Sequence, residues 1–171
     1  MNPPFRGADS IEGVSVRRPV RHEDARGHLT EFFRCDEMSR GLLPAMGYLS
    51  VTNPGLSRGP HEHGEQTDTF FFPGPGDFVL ALWDNRKDSR TFRGRIVVEA
   101  GARSPAIVVV PPGVVHAYAC VSGDPGLVVN IPNRLYRGEG KMEEVDETRH
   151  EADPDDPFLV DFKLILKGRL P

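Results

Sequence analysis

The sequence predicts a single all-β domain, a closed sandwich or jelly-roll barrel with short peripheral helices. Its 171 residues include 18 Gly and 16 Pro, a larger share than the roughly 12% of average usage, so turns are abundant. Short apolar runs of strand length lie between these turns, which is typical of an all-β chain. A chain of this length is most simply one domain, residues 1–171. Within it, residues 1–13 are expected to form a loose arm, and residues 141–157 form an acidic C-terminal segment.

The strands follow one another along most of the chain. They are predicted over residues 14–20, 28–34, 48–52, 67–72, 77–83, 95–98, 107–110, 114–121 and 127–131. Turn signals separate several of them, most clearly Pro73-Gly74-Pro75-Gly76 and Pro111-Pro112-Gly113. A short helix is expected over residues 36–43, between an acidic start and the break at Gly41. Residues 158–166 are expected to form a terminal strand or helix.

Charge and cysteine content exclude several classes of protein. The net charge is -4, which argues against a nucleic-acid partner. The acidic residues concentrate in residues 141–157, most simply a solvated face, with a lid or an oligomer contact as the alternative. No stretch approaches the ~20 apolar residues of a membrane span. With two cysteines outside any CxxC pattern and no signal-peptide pattern at the N-terminus, a reduced, cytoplasmic protein is expected.

Three of the six histidines lie in a recognisable pattern. His61 and His63 are two residues apart, which places both side chains on one face of a strand. Asp68 follows after four intervening residues, and His116 ends the sequence PPGVVH. Imidazole and carboxylate groups are ligands for Zn, Fe, Mn or Ni. These four residues are therefore a candidate metal set.

Both histidine segments resemble the two motifs of the cupin superfamily. The first motif is similar to residues 55–68, with Asp68 where glutamate is usual, and the second is similar to residues 111–116. The resemblance implies a conical jelly roll whose inner face often holds a metal.

A closer resemblance is to the dTDP-4-dehydrorhamnose 3,5-epimerases of deoxysugar biosynthesis. Four segments carry it in the same order and spacing: residues 24–32, 57–61, 82–92 and 112–118. The resemblance implies a nucleotide-sugar epimerase that acts on a dTDP-4-keto-6-deoxyhexose by deprotonation and reprotonation at C3, C5 or both. It also implies a nucleotide-activated deoxysugar as partner, no cofactor, and a homodimer whose N-terminal strands exchange between protomers.

Site roles carry over from the family by position. His61 matches the catalytic base, a role that suits an imidazole. Arg58 would lie beside the enolate or the phosphate, and His116 would line the pocket. Arg26 and Glu31 would contact the nucleotide.

The sequence departs from the family at three places. Counted back from Tyr136, which matches a second family tyrosine, the proton-donating tyrosine aligns with Asn130. Asparagine cannot donate a proton productively, so Tyr136 or an ordered water is the expected donor, and Asn130 is expected to bind substrate. Thr69 stands where the family carries a lysine. The family's aspartate partner for the histidine has no clear counterpart, with Asp153, Asp156 and Asp161 as candidates.

Two alternatives stay open. One is a metal-dependent cupin enzyme, a dioxygenase or an isomerase, that binds one divalent transition metal through His61, His63, Asp68 and His116. In that case His61 could not also be a free base. The other is a sugar-binding cupin that kept the pocket and lost catalysis.

Overall fold

The computed structural model describes residues 6–159 and 161–162, and its regular structure is almost entirely β-strand. The strands are β1 (Arg6–Gly7), β2 (Ser15–Arg17), β3 (Arg21–Asp24), β4 (Gly27–Thr30), β5 (Tyr48–Thr52), β6 (Ser57–Glu62), β7 (Asp68–Phe72), β8 (Asp77–Asp84), β9 (Gly94–Gly101), β10 (Ala106–Val110), β11 (Val114–Cys120), β12 (Gly126–Asn130) and β13 (Thr148–Arg149). The predicted all-β class is confirmed.

Two sheets form the sandwich. One has the strand order β1-β9-β8-β11-β6-β13 and the other the order β2-β10-β7-β12-β5, while β3 and β4 form a separate hairpin. Apart from the parallel β1–β9 pair, the pairing between these strands is antiparallel. Long crossovers between the sheets, rather than a simple meander, give the jelly-roll arrangement.

The helices expected at the periphery are replaced by 3₁₀ turns. In place of the helix expected over residues 36–43 there are two such turns, Cys35–Glu37 and Arg40–Leu42, and a third spans Glu139–Lys141. Gly41 and the following Pro44 leave too few residues to propagate an α-helix. Among the described residues, no helix has the length and apolarity needed to cross a membrane.

Aromatic side chains fill the core between the sheets. All residues of β7 and β11 are buried. Phe72 packs edge-on against Phe78 and Tyr118, with ring centroids 5.3 and 5.7 Å apart. Phe70 continues this packing to the ring of His116, at 5.4 Å. The apolar core therefore ends directly at the histidine cluster and supports it.

The expectation of a loose arm over residues 1–13 is wrong for residues 6–13, which the structure describes as packed against the domain. β1 pairs with β9, and Ile11 is 2% exposed within the core. The Glu12 carboxylate accepts a hydrogen bond from the Arg90 guanidinium at 2.9 Å. Burial of an isoleucine side chain stabilises a fold by about 1.5–3 kcal/mol, which explains why this segment packs. Residues 1–5 lie outside the described part.

The connection between β8 and β9 explains one of the family-like segments. The carboxylate of Asp84, whose side chain is fully buried, accepts hydrogen bonds from Arg86 Nε at 2.9 Å and from the hydroxyls of Ser89 and Thr91 at 2.5 Å. Burial opposes its charge, but these hydrogen bonds outweigh burial and lower the pKa of Asp84 to about 2. This segment closes a turn, so its role is structural.

Sequence patterns missed four strands, of which β6 and β13 matter most for the site. β6 contains Gly59 and Pro60, which disfavour a strand prediction. β13 is only two residues long and joins β6 with Arg149 opposite His61. The predicted terminal element over residues 158–166 lies mostly outside the described residues.

Candidate active site

A cavity of about 990 Å³ lies between the two sheets, and the segment that follows β12 closes one side of it. The six-stranded sheet contributes His61 and Tyr118 to its wall, and the five-stranded sheet contributes Tyr48, Ser50 and Phe70. A ligand in this cavity is therefore contacted from two opposite walls.

The three patterned histidines converge at the base of the cavity. His61 and His116 are directly opposite each other in the β6–β11 pair, and their ring centroids are 4.4 Å apart. The ring of His63 is 5.5 Å from that of His61. Gly59 permits this approach: it has a φ of +77°, and a Cβ there would lie 2.5 Å from the carbonyl oxygen of His116. Only glycine fits this position without a shift of backbone.

Asp68 is the charged centre of the cluster. It is 1% exposed, and its Oδ2 lies 3.1 Å from His63 Nε2 and 3.3 Å from His116 Nε2. Its Oδ1 accepts hydrogen bonds from the side-chain amides of Gln66 at 2.9 Å and Asn130 at 2.8 Å. Burial opposes the charge, but the hydrogen bonds and charges of His116 and His63 hold the pKa of Asp68 well below its usual range. The carboxyl group is therefore ionised.

His63 carries the positive charge that balances Asp68. Its Nδ1 donates to the backbone carbonyl of Asp146 and its Nε2 faces the Asp68 carboxylate, so acceptors lie at both ring nitrogens. Burial favours the neutral ring, but these two partners outweigh burial and raise the pKa of His63 to about 8. In the protein without a metal, His63 is an imidazolium at neutral pH.

His61 is the neutral histidine that faces the cavity. Burial, followed by the charges of His116 and His63, lowers its pKa to about 2. Its Nδ1 lies 3.9 Å from Glu147 Oε1, and the other oxygen of that carboxylate, Oε2, accepts a hydrogen bond from Arg149 Nε at 2.7 Å. A neutral imidazole next to a carboxylate can accept a proton, because the carboxylate stabilises the imidazolium that forms.

Glu147 is a site residue that sequence reasoning missed. Of the three aspartates considered as partners of His61, Asp156 instead accepts a hydrogen bond from His150 at 2.8 Å, and Asp153 accepts one from the backbone of Asp155 at 3.0 Å. Asp161 stays a prediction. Glu147 immediately precedes β13, and the pairing of that short strand with β6 carries it to His61. Strand propensity carries almost no signal for a two-residue strand.

The acidic segment is more than a solvated face. The Asp146 carboxylate accepts hydrogen bonds from the backbone N–H groups of Gly64, Glu65 and Gln66 at 2.8–3.0 Å. Three donors to one carboxylate fix the loop that follows β6. The segment therefore forms a wall of the cavity, which corrects the simplest expectation for residues 141–157.

Other predicted site residues lie at different depths. Arg58 lines the cavity and donates hydrogen bonds to Thr52 Oγ1 and the Val51 carbonyl at 3.1 and 2.9 Å. Tyr136 lines the rim on the loop after β12 and is 53% exposed. His116 and Asn130 are buried behind the wall, at 4% and 1% exposure.

The structure does not bring Arg26 and Glu31 to the cavity of their own chain. Arg26 lies in the exposed β3–β4 hairpin and pairs with Asp24, while Glu31 pairs with Arg34. Their expected contact with a nucleotide stays a prediction.

The candidate metal set is geometrically compact. One ligand atom from each of His61, His63, Asp68 and His116 can be chosen so that all lie within 4.8 Å of one another. Nδ1 of His63 and of His116 faces a backbone carbonyl while Nε2 faces Asp68. Histidines that bind a metal through one nitrogen commonly donate the other N–H to a carbonyl. These residues therefore fit a divalent transition metal as well as they fit a hydrogen-bonded cluster.

A two-sheet jelly roll with histidines on its inner wall is the architecture of the cupin class. Comparison with known proteins gives the family. The family model for dTDP-4-dehydrorhamnose 3,5-epimerase matches residues 8–146. The chain belongs to this family and, as a member, is a nucleotide-sugar epimerase.

Two curated relatives are about one third identical to the chain. The probable low-salt glycan biosynthesis epimerase Agl13 of Haloferax volcanii is 34% identical over 136 residues, 79% of this chain and 86% of that protein. The spore coat polysaccharide biosynthesis protein SpsL of Bacillus subtilis is 33% identical over 128 residues, 74% of this chain and 82% of that protein.

Solved structures show the same fold. A dTDP sugar isomerase from Desulfovibrio desulfuricans superimposes with a TM-score of 0.75 at 22% identity, over 88% of this chain and 91% of that chain. ChmJ, a 3'-monoepimerase from Streptomyces bikiniensis in complex with dTDP-quinovose, gives a TM-score of 0.71 at 24% identity, over 95% of this chain and 90% of that chain.

Proposed function

We propose that this protein epimerises a dTDP-linked 4-keto-6-deoxyhexose at C3, C5 or both, with His61 as the base. The observation that carries the proposal is a neutral imidazole on the cavity wall with a carboxylate, Glu147, 3.9 Å from its Nδ1. Family membership supplies the substrate class, and the cavity of about 990 Å³ is at the upper end of the usual range for small-molecule sites.

A 4-keto group acidifies the hydrogens on both neighbouring carbons, because the resulting carbanion is delocalised as an enolate. His61 removes one of these protons and becomes an imidazolium. Its low pKa in the free protein reflects burial beside His116 and His63. In the reaction, positive charge on His61 forms together with negative charge on the enolate, and this pairing and the Glu147 carboxylate offset the cost of charging the ring.

The rim of the cavity offers cations for a nucleoside diphosphate. Basic side chains that line it are Arg58, Arg134, Arg137, Lys141 and Arg149. Guanidinium groups bind phosphate oxygens in a bidentate manner. We propose that the sugar lies between the sheets and the diphosphate lies at this rim.

The finer proposal for assembly is a homodimer in which the β3–β4 hairpin reaches the partner's cavity. The hairpin is almost wholly exposed and carries Arg26. The outer face of β5 presents Leu49 and Val51, 67% and 56% exposed, and the hairpin presents Leu29, 66% exposed. Exposed apolar side chains on these two elements are surfaces that a second subunit would cover. A cytoplasmic location stays a proposal.

Deuterium exchange tests the function. The protein is incubated with dTDP-4-keto-6-deoxyglucose in deuterated water, and the sugar is examined by NMR. We expect deuterium at C3, at C5 or at both, and its loss in His61→Ala. Absence of exchange, with His61→Ala indistinguishable from the unaltered protein, would support a sugar-binding cupin without catalysis and contradict the epimerase.

A metal-dependent cupin enzyme is the second candidate, favoured by the compact set of three imidazoles and the Asp68 carboxylate. A divalent metal held there would supply Lewis acidity, and it would occupy the lone pair that His61 needs as a base. Elemental analysis of protein purified without added metal separates the two. One equivalent of a transition metal, lost in His63→Ala together with activity, would contradict the free-base mechanism. An epimerase that keeps its full rate after removal of metal would contradict the metal enzyme.

A further inference from the structure

We propose that Tyr48 is the proton donor of the epimerisation. It would replace the family's proton-donating tyrosine, whose position is occupied by Asn130 in this chain. This proposal rests on the function proposed above. It extends that function, since it identifies the group that returns a proton to the face of the sugar opposite His61. It differs from the sequence-based expectation, which pointed to Tyr136 or an ordered water.

The pairing of two strands places Tyr48 beside Asn130. The two residues are directly opposite each other in the antiparallel β5–β12 pair. Asn130 Nδ2 donates a hydrogen bond to the Tyr48 hydroxyl at 2.8 Å. Position 130 on β12 has no phenol, but the neighbouring strand β5 supplies one, Tyr48, in contact with Asn130.

Asp68 determines the orientation of the Asn130 amide. A carboxylate only accepts hydrogen bonds, so the amide must turn its NH₂ group toward Asp68 Oδ1, 2.8 Å away. The second hydrogen of the same NH₂ group goes to the oxygen of Tyr48. Because Tyr48 accepts in this contact, its own O–H proton is left for a partner in the cavity.

Tyr48 and His61 lie on opposite walls. Tyr48 belongs to the five-stranded sheet and His61 to the six-stranded sheet, and both side chains line the cavity between them. Inversion at carbon requires that the proton leave from one face and return to the other. A sugar ring held between the sheets presents one face to each residue.

The other two tyrosines of the cavity are less suited. The Tyr118 hydroxyl is 3.1 Å from Ser50 Oγ, and the residue is 5% exposed and belongs to the same sheet as His61. Tyr48 and Tyr136 are similarly exposed, at 46% and 53%. Tyr136 lies on a loop at the rim, whereas the Tyr48 hydroxyl belongs to a strand residue and is held by the buried Asn130 amide, so Tyr48 is the more firmly positioned donor.

The proton balance is complete without a cofactor. His61 takes the proton from the carbon beside the ketone, and the C–H electrons form the enolate. The enolate carbon then takes the proton of the Tyr48 hydroxyl on the opposite face, and the ketone re-forms. The phenolate is stabilised by the Asn130 N–H group, and imidazolium and phenolate return to their neutral forms by exchanging one proton through water. Burial raises the pKa of Tyr48 to about 12, so the hydroxyl carries its proton at neutral pH.

Tyr48→Phe separates the two half-reactions. In deuterated water, we expect this variant to keep deuterium incorporation with retained configuration, because His61 still removes a proton and returns a deuteron to the same face. We expect inversion to fall by about 100-fold or more, the usual contribution of a general acid. Both rates come from NMR of the same reaction, and thermal unfolding establishes that the variant is folded.

Tyr136→Phe is measured side by side as the competing donor. A larger loss of inversion in Tyr136→Phe than in Tyr48→Phe overturns the proposal, as does inversion in Tyr48→Phe within about threefold of the unaltered protein. Equal losses of exchange and inversion in folded Tyr48→Phe also overturn it, because they indicate a role in binding. If the unaltered protein neither exchanges nor inverts, the proposed function itself fails, and the role of Tyr48 fails with it.

Discussion

At the scale of single residues, the site depends on which groups carry charge. Asp68 and His63 form a buried ion pair, while His61 is neutral in the same cluster. Three imidazoles within 6 Å of one another cannot all be protonated at low cost. The Asp68 carboxylate and the Asp146 carbonyl raise the pKa of His63 to about 8, so His63 is charged, whereas burial keeps His61 neutral and free to act as a base.

Glu147→Gln tests the stabilisation of the charged form of His61. The substitution keeps the shape of the side chain and removes its charge. We expect the rate of deuterium exchange to fall by about 10- to 100-fold, with little change in substrate KM, because the imidazolium forms only during the reaction. Glu139→Gln, just before the acidic segment and outside the cavity wall, is the matched control. Equal rates in the two variants would show that Glu147 does not assist His61.

At the scale of elements, one close contact of the backbone determines where the site forms. Gly59 on β6 lies against the His116 carbonyl on β11, and the register of the two strands shifts between His116 and Tyr118. The shift leaves His61 opposite His116. The β6–β11 contact is thus a condition for the histidine cluster.

Gly59→Ala should be far more harmful than Gly55→Ala. Both glycines have a similar positive φ, +77° and +74°, but a Cβ at residue 55 meets no atom within 4 Å. Gly55→Ala measures the cost of the backbone conformation alone, about 1–2 kcal/mol in the free energy of unfolding. Gly59→Ala adds a backbone clash, so we expect a further loss of about 2 kcal/mol or more and loss of exchange activity. Similar unfolding free energies for the two variants, from denaturant titration, would contradict the close contact.

Asp84→Asn tests the turn between β8 and β9 through its pH dependence. The folded pKa of Asp84 is about 2, below its ordinary value of 3.8. Its contribution to stability is therefore present above about pH 4 and is lost as the pH falls toward 2. We expect Asp84→Asn to cost about 1–2 kcal/mol at pH 7 and the difference from the unaltered protein to shrink between pH 4 and 2.

Asp88→Asn removes the same charge from an exposed side chain in that turn and serves as the control. Urea unfolding at a series of pH values measures both variants. A difference between Asp84→Asn and the unaltered protein that stays constant from pH 7 to 2 would show that the buried carboxylate is not the cause.

At the scale of the whole molecule, the two sheets divide the chemistry between them. The base His61 comes from the six-stranded sheet, and the proposed donor Tyr48 comes from the five-stranded sheet. The hairpin with Arg26 does not line the cavity of its own chain. A complete site in the proposed dimer therefore needs both sheets of one protomer and the hairpin of its partner.

Mixed dimers test this arrangement. We expect Arg26→Ala to raise KM and His61→Ala to abolish exchange when each is measured alone. In a dimer that contains one protomer of each kind, one site carries both defects and the other carries neither. Mixing and refolding the two variants should therefore restore part of the activity. If each cavity uses its own Arg26, or if light scattering shows a monomer, the mixture will show no gain over the separate variants.

Sequence reasoning predicted the all-β jelly roll and the convergence of His61, His63, Asp68 and His116. Turn residues and motif spacing are local signals, and they carry this information directly. Sequence reasoning did not predict that Glu147 lies beside His61, that Ile11 packs in the core, or that Tyr48 lies next to Asn130. Each of these depends on which distant strands pair, and pairing over 80 residues leaves no local pattern.

The sequence by itself determined the class of fold, the family, and the histidines at the centre of the site, because these follow from residue types at fixed local spacing. Tertiary structure alone determined which carboxylate lies beside His61 and which phenol lies on the opposite wall of the cavity. Short strands from distant parts of the chain bring Glu147 and Tyr48 to the cavity, and the register of β13 on β6 and of β12 on β5 sets their positions. Register is a property of paired backbones and of the core that holds them, so it became visible only when the chain was folded.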